Sequence, residues 1–237
     1  MNKKILISIF LLAFSFATKA QLNLVVGVGT DLYGSKYIVD DNLSNIDLKD
    51  YHGLAFNYAP HVHVGIDLSS RMRFVTGLAS TTKTDMTSDL SYIDSLINPN
   101  TDYSAVVKNQ YLTIPISLTF NLVGKDAKSR LPIGLTADIN MLNKQKITSS
   151  TLDTLGRLKF PVTYTKSELA SKYDATSFTV GFTIGYGYRF TDNLGLDALL
   201  FAKYDLSSFD KTNPLYNNYA FVGMNLTLYY VFGKAKE

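Results

Sequence analysis

The chain contains no cysteine and no tryptophan, and only 6 of its 237 residues are proline. Without cysteine there can be no disulfide framework, and no thiol to carry the lipid that anchors an acylated lipoprotein. Stability must come from packing and hydrogen bonding alone. Long hydrophobic runs are equally scarce. The single candidate, residues 5–16, follows Asn2, Lys3 and Lys4 and leads into Thr18, Lys19 and Ala20. It falls short of the roughly 20 residues that a membrane helix needs. A charged start, a short apolar centre and small residues ahead of Gln21 instead predict a signal peptide over 1–20, removed after Ala20, with 21–237 exported as one domain.

An excess of one charge is also missing. With Lys3, Lys4 and Lys19 gone, 23 basic side chains fall to 20, against 20 acidic ones. That balance argues against nucleic acid as a partner. No Pro-rich or Gly/Ser-rich linker divides the chain. The sequence holds no Gly-x-Ser-x-Gly elbow and no metalloprotease helix motif, so no catalytic residue is assigned. Gly27, Gly29 and Gly34 imitate a nucleotide-binding loop, but no helix pattern follows them. They read, with Gly181, Gly185 and Gly187, as places where strands bend and approach closely.

What the sequence does have is a rhythm of two. Phe178, Val180, Phe182, Ile184, Tyr186, Tyr188 and Phe190 alternate with Thr179, Gly181, Thr183, Gly185, Gly187 and Arg189. Period two is the mark of a strand with one apolar and one polar face. It recurs over 22–32, 54–68, 72–82, 107–122, 131–142, 176–190, 194–204 and 220–232. The connections 69–71 and 191–193 are tight and 123–130 is modest, while the other four are longer. Short turns alternating with long loops predict an all-β fold, an eight-stranded antiparallel up-and-down transmembrane β-barrel with both termini at the periplasmic, short-turn end.

Volume decides which face looks out. Leu112, Ile114, Ile116, Leu118, Phe120 and Leu122 share one face of the fourth strand; Tyr111, Thr113, Pro115, Ser117, Thr119 and Asn121 share the other. Six large apolar side chains on each of eight strands would overfill an interior that takes about a dozen residues in the parallel eight-stranded case. The bulky face must therefore meet lipid, and the small, wet face must line the lumen. Tyr33, Tyr58, Tyr188, Phe190, Tyr204, Tyr230 and Phe232, near strand ends, suit interfacial aromatic girdles.

The same parity turns ionisable groups inward: Asp67, Arg73, Arg189 and Asp197 toward the periplasmic end, with Asp138 and Lys203 further along. Enclosed charges need partners, so these six are expected to pair as a structural plug. His61 and His63 share the inward face at a spacing that two metal ligands could use. The only other histidine is His52 and no cysteine completes a soft site, so a hydrogen-bonding role is expected and no metal or other cofactor is assigned. Asp31, His52, His61, Lys108 and Asp205 fall toward the outer rim, where barrel enzymes build their sites. Asp40, Asp41, Asp47 and Asp50 make the first long loop acidic; Lys144, Lys146, Arg157, Lys159, Lys166 and Lys172 make the third basic. Such loops on a rigid scaffold are the natural place for a recognition surface.

The segment Tyr111-Leu112-Thr113-Ile114-Pro115-Ile116-Ser117-Leu118 resembles the Tyr-Leu-x-Ile-Pro strand of the PorT-like family of outer-membrane barrels. Asn193-Leu194-Gly195-Leu196-Asp197 with Tyr204, and Asn225-Leu226-Thr227-Leu228-Tyr229-Tyr230-Val231-Phe232, resemble that family's last two strands. The resemblance implies an eight-stranded barrel in the cell outer membrane, inserted by the barrel-assembly machinery, with some relatives tied to protein secretion across the envelope. It carries over no functional residue. Residues 233–237 follow Phe232, where an insertion signal ordinarily ends on the aromatic itself. The expectation is a non-enzymatic, structural or surface-binding barrel, with outer-membrane lipid around it and envelope proteins as possible partners of its loops.

Overall fold

The computed structural model describes residues 23–39, 52–69, 71–88, 104–123, 128–149, 162–165, 176–206 and 216–232. The signal segment 1–20 and most of the loop charges named above, from Asp40 to Asp50 and from Arg157 to Lys172, lie outside them. Eight long strands make the wall: β1 (Asn23–Val39), β2 (Ala55–Asp67), β3 (Met72–Ser88), β4 (Ser104–Asn121), β5 (Pro132–Ser149), β6 (Thr176–Arg189), β7 (Leu194–Asp205) and β8 (Tyr216–Phe232). Each pairs antiparallel with its sequence neighbour, and β8 returns to β1, with Leu24 opposite Phe232 and Lys36 opposite Ala220. The sheet therefore closes. Short strands His52–Gly53, Ser129–Arg130 and Val162–Thr165 extend β2, β5 and the outer end of β5's edge.

The side chains divide as volume requires. Leu135 and Val222 are about 70 % exposed (70 % and 69 %), while Thr113 and Thr179 on the inward parity are 1 % and 3 % exposed. The whole series Phe178, Val180, Phe182, Ile184, Tyr186, Tyr188 and Phe190 lies open on the exterior. A barrel that is apolar outside and polar inside is built for lipid as its solvent, since a closed sheet leaves no free edge to be satisfied by water. Among the described residues no helix is long and apolar enough to cross a membrane, so strands make the crossing. Tyr188 with Phe190, and Tyr230 with Phe232, meet edge-on on the outside of the short-turn end, as a girdle needs.

Two expectations need correction. Strands β1, β3 and β5 run on to residues 39, 88 and 149, six or seven positions past the ends that alternation marks at 32, 82 and 142. Above the apolar band the outward positions carry exposed Lys36, Lys108, Lys144 and Lys146, so alternation fades although the hydrogen-bond ladder continues. And Tyr33 is no girdle residue. Its odd parity in β1 sends the ring into the lumen, between Phe201 and Phe221.

Among the described residues, the longest break in the wall's ladder lies between β2 and β3. Strands β2 and β3 pair from Asp67 opposite Arg73 up to His61 opposite Ala79, and again at His52 opposite Thr87. Between these, residues 54–60 and 80–85 are not paired with each other. Pro60, at the start of the gap, has no N–H to offer. Side chains stand in for the missing ladder. The Tyr33 hydroxyl accepts from Thr82 N–H at 3.0 Å and donates to Thr82 O at 2.7 Å. Ser35 donates to Thr84 O, and Asn57 links the Ser35 and Thr84 hydroxyls.

Candidate functional site

Among the described residues charged groups converge in the lumen, and the lumen is layered. At the short-turn end Arg73 Nε lies 2.7 Å from Asp67 Oδ1, with a second, longer guanidinium contact to the same carboxylate at 3.4 Å. The two face each other as cross-strand partners on β3 and β2. Arg73 also lies 3.7 Å from Asp197 of β7, which takes a 2.6 Å bond from Arg130. Both guanidiniums stack on Tyr229 of β8, at 4.5 and 4.7 Å from the ring centre. Arginine suits this double duty because its planar fork pairs with a carboxylate while its face covers a ring. Val25, Tyr229 and Val231 form a small apolar cluster at the same level.

Arg130 occupies the place expected for Arg189. Arg130, Gly187 and Asp197 stand in line across three strands, and Gly187 has no side chain to block the reach. A Cβ there would overlap the Asp197 carboxylate and press on Arg130. Arg189 lies two residues nearer the mouth. It forms no ion pair among the described residues, and its buried Nε has no hydrogen-bond partner there.

The middle layer holds the histidines. The rings of His61 and His63 stack with centres 5.9 Å apart, over Gly27 and Gly29, where any Cβ would collide with an imidazole. Those two glycines are thus a matter of close approach across β1. His61 Nε2 lies 3.0 Å from the Thr227 hydroxyl and His61 Nδ1 3.7 Å from Asp31. Acid, imidazole and hydroxyl follow in catalytic order, yet 3.7 Å is too long for a hydrogen bond. The Thr227 proton goes to Asn225 Oδ1 at 2.8 Å, and Asn225 in turn donates to Asp31 at 2.6 Å. The hydroxyl is therefore a member of a hydrogen-bonded ring of side chains. Among the described residues no group of three His, Asp or Glu side chains is placed to hold a metal ion.

Further out, Lys203 of β7 lies 2.8 Å from Asp138 of β5. Lys83 of β3 meets Asp205 of β7 at 2.6 Å, spanning the lumen, and bonds Ser177 at 3.1 Å. Asp205 also accepts from Thr179, which accepts from Asn140, which accepts from Thr113. Hydrogen bonding of this continuity is what lets charged groups persist in an enclosed site. Tyr33, Phe201 and Phe221 flank a recess whose free space is about 30 Å³, room for a water or two.

Of the expected charge set, Asp67, Arg73, Asp197, Asp138 and Lys203 thus lie in ion pairs with one another or with Arg130. Asp31, His61 and Asp205, expected at the rim, lie inside the lumen instead, because the strands continue well above them. Lys108 is exposed, and His52 pairs through its backbone with Thr87. Lys83, Arg130 and Tyr229 were missing from the sequence-based set. Lys83 and Arg130 each sit one residue beyond an expected strand end, at the inward parity, and extending the alternation by one step would have found both.

A family model described as "Outer membrane protein beta-barrel domain" matches residues 41–207. No curated protein matches the chain significantly. Among solved structures, neisserial surface protein A is 13% identical, with 88% of this chain and 97% of that one covered and a TM-score of 0.43. E. coli outer membrane protein W is 10% identical, with 90% and 100% covered and a TM-score of 0.44. The E. coli outer membrane protease OmpT is 11% identical, with 89% and 96% covered and a TM-score of 0.34. These likenesses assign no activity, and the strand count and closure rest on the pairing described above.

Proposed function

This chain belongs to the outer membrane protein beta-barrel domain family and resides in the outer membrane; on that premise we propose that it is a non-enzymatic barrel with its axis closed to general solutes, acting as a rigid mount for its long-loop end. The observation that carries this reading is the set of ion pairs spanning the lumen at two heights, Arg73 and Arg130 with Asp67 and Asp197 below, Lys83 with Asp205 above. An ion that passed along the axis would have to displace both. The short turns face the periplasm and the longer connections face outward, following the wiring of bacterial barrels. The outward extensions of β1, β3 and β5 carry the strand ends beyond the apolar band, which suits a structural or recognition role toward envelope or external partners. Reconstitution in planar bilayers tests the closure: the expected record has no large, steady unit conductance, and porin-like pores would overturn the reading.

A second reading, a component of an envelope secretion machinery, is favoured by the PorT-like strand from Tyr111 to Leu118. Crosslinking in the native envelope with partner identification separates the two. Recovery of inner- or outer-membrane secretion proteins would support it, and recovery of lipid or barrel-assembly components alone would remove it.

A further inference from the structure

The gap between β2 and β3 has a position and a lining. Leu32 and Tyr58, cross-strand partners, lie in the upper part of the apolar band, which on the β2 side continues to Phe56 and Leu54. On the β2 side of the gap Phe56 and Tyr58 are wide open, at 84 % and 70 % exposure, whereas on β3 the outward series changes from Leu78 to Ser80 and Thr82. One lip is aromatic and the other carries hydroxyls. That is the character of the membrane–water interface, where lipid tails give way to headgroups. Directly behind the lips stands Tyr33, with its hydroxyl on the Thr82 backbone and its ring in the recess, 6.4 Å from Phe201 and 6.0 Å from Phe221.

We propose that this seam is a side entrance from the outer leaflet, and that the recess behind Tyr33 takes a small neutral aromatic molecule of one ring, of the phenol type. Three features set the ligand class. Its size follows from the closing residue: the standing space of about 30 Å³ admits only water, and swinging Tyr33 aside adds the volume of one ring. Its neutrality follows from the lining: Lys83 and Lys203 are already matched by Asp205 and Asp138, and the remaining carboxylate, Asp31, is held by the Asn225 amide at 2.6 Å with His61 3.7 Å away. Its hydroxyl follows from the seam, because the Thr82 N–H and C=O that Tyr33 now satisfies must be satisfied again when Tyr33 moves. A phenol replaces both the ring and the two hydrogen bonds. The axis plays no part, so this inference and the closure proposed above stand or fall separately, one by ligand exchange and the other by conductance.

The test uses the full chain in bicelles with 4-fluorophenol as probe, followed by its fluorine resonance. Wild type is expected to give saturable broadening. Tyr33→Phe, which keeps the ring and removes both bonds to Thr82, should raise the exchange rate about tenfold. Tyr33→Ala should raise affinity at least tenfold by leaving a ring-shaped void. The chain has no cysteine, so a Tyr58→Cys/Thr82→Cys pair bridged by a short bismaleimide closes the seam selectively, and exchange should then slow at least tenfold. Absence of saturable binding by both wild type and Tyr33→Ala would overturn the proposal. So would exchange that ignores both Tyr33→Phe and the bridge, because the probe would then be entering from the loop end.

Discussion

At the short-turn end, two guanidiniums grip two carboxylates and sandwich Tyr229, tying β2, β3, β7 and β8 to the strand piece ahead of β5. At the long-loop end, Lys83 and Lys203 each meet one carboxylate, and the wall beside them parts between β2 and β3. The lower carboxylates keep some access to water, at 14 % and 15 % side-chain exposure; Lys83 and Asp205 have almost none, at 4 % and 2 %. The lower layer spreads its charges over several partners and tolerates loss. The upper layer concentrates them in deeply enclosed pairs, where one missing partner leaves a bare charge. Rigidity and sensitivity have been placed at opposite ends of one lumen.

The sharpest way to break that contrast is Lys83→Met. It strands Asp205 and should cost about 3–5 kcal/mol in urea unfolding followed by gel mobility, with Lys83→Met/Asp205→Leu restoring most of it. If the single variant costs less than Arg130→Met, the contrast is wrong. Phe182→Arg, in the middle of the lipid-facing band, comes next at about 2–4 kcal/mol, while Lys36→Arg above the band should cost nothing measurable. Arg130→Met should cost about 1–3 kcal/mol by the same assay, because Arg73 still faces Asp197 and Tyr229. Arg189→Met should leave stability within about 0.5 kcal/mol of wild type, since among the described residues no carboxylate loses a partner.

Alternation was enough to read the eight strands and their sidedness, because lipid imposes hydrocarbon on every second residue of each crossing. Where the strands leave lipid that pressure ends, which is why alternation stops marking strand over residues 33–39, 84–88 and 143–149, the β3 stretch starting one step beyond Lys83. The site was legible where parity alone decides, as for Asp67 and Arg73, neighbours across a tight turn. It was not legible where register between distant strands decides. That Arg130 rather than Arg189 reaches Asp197 depends on Gly187 standing between them, and no single strand reveals its neighbour's height. The parting at Pro60 and the Tyr33 bridge were hidden for the same reason.

Closure of the first strand onto the last has a consequence for biogenesis. Leu24 finds its partner in Phe232, so the opening segment cannot complete its ladder until the final one has been synthesised and exported. Until then the chain carries two unfinished edges, each a template for wrong pairing and each intolerable in hydrocarbon. Maturation is thus all-or-none over nearly the full length of the polypeptide, and a product truncated before β8 is left without a seat in the bilayer, marked for disposal by its own open flank.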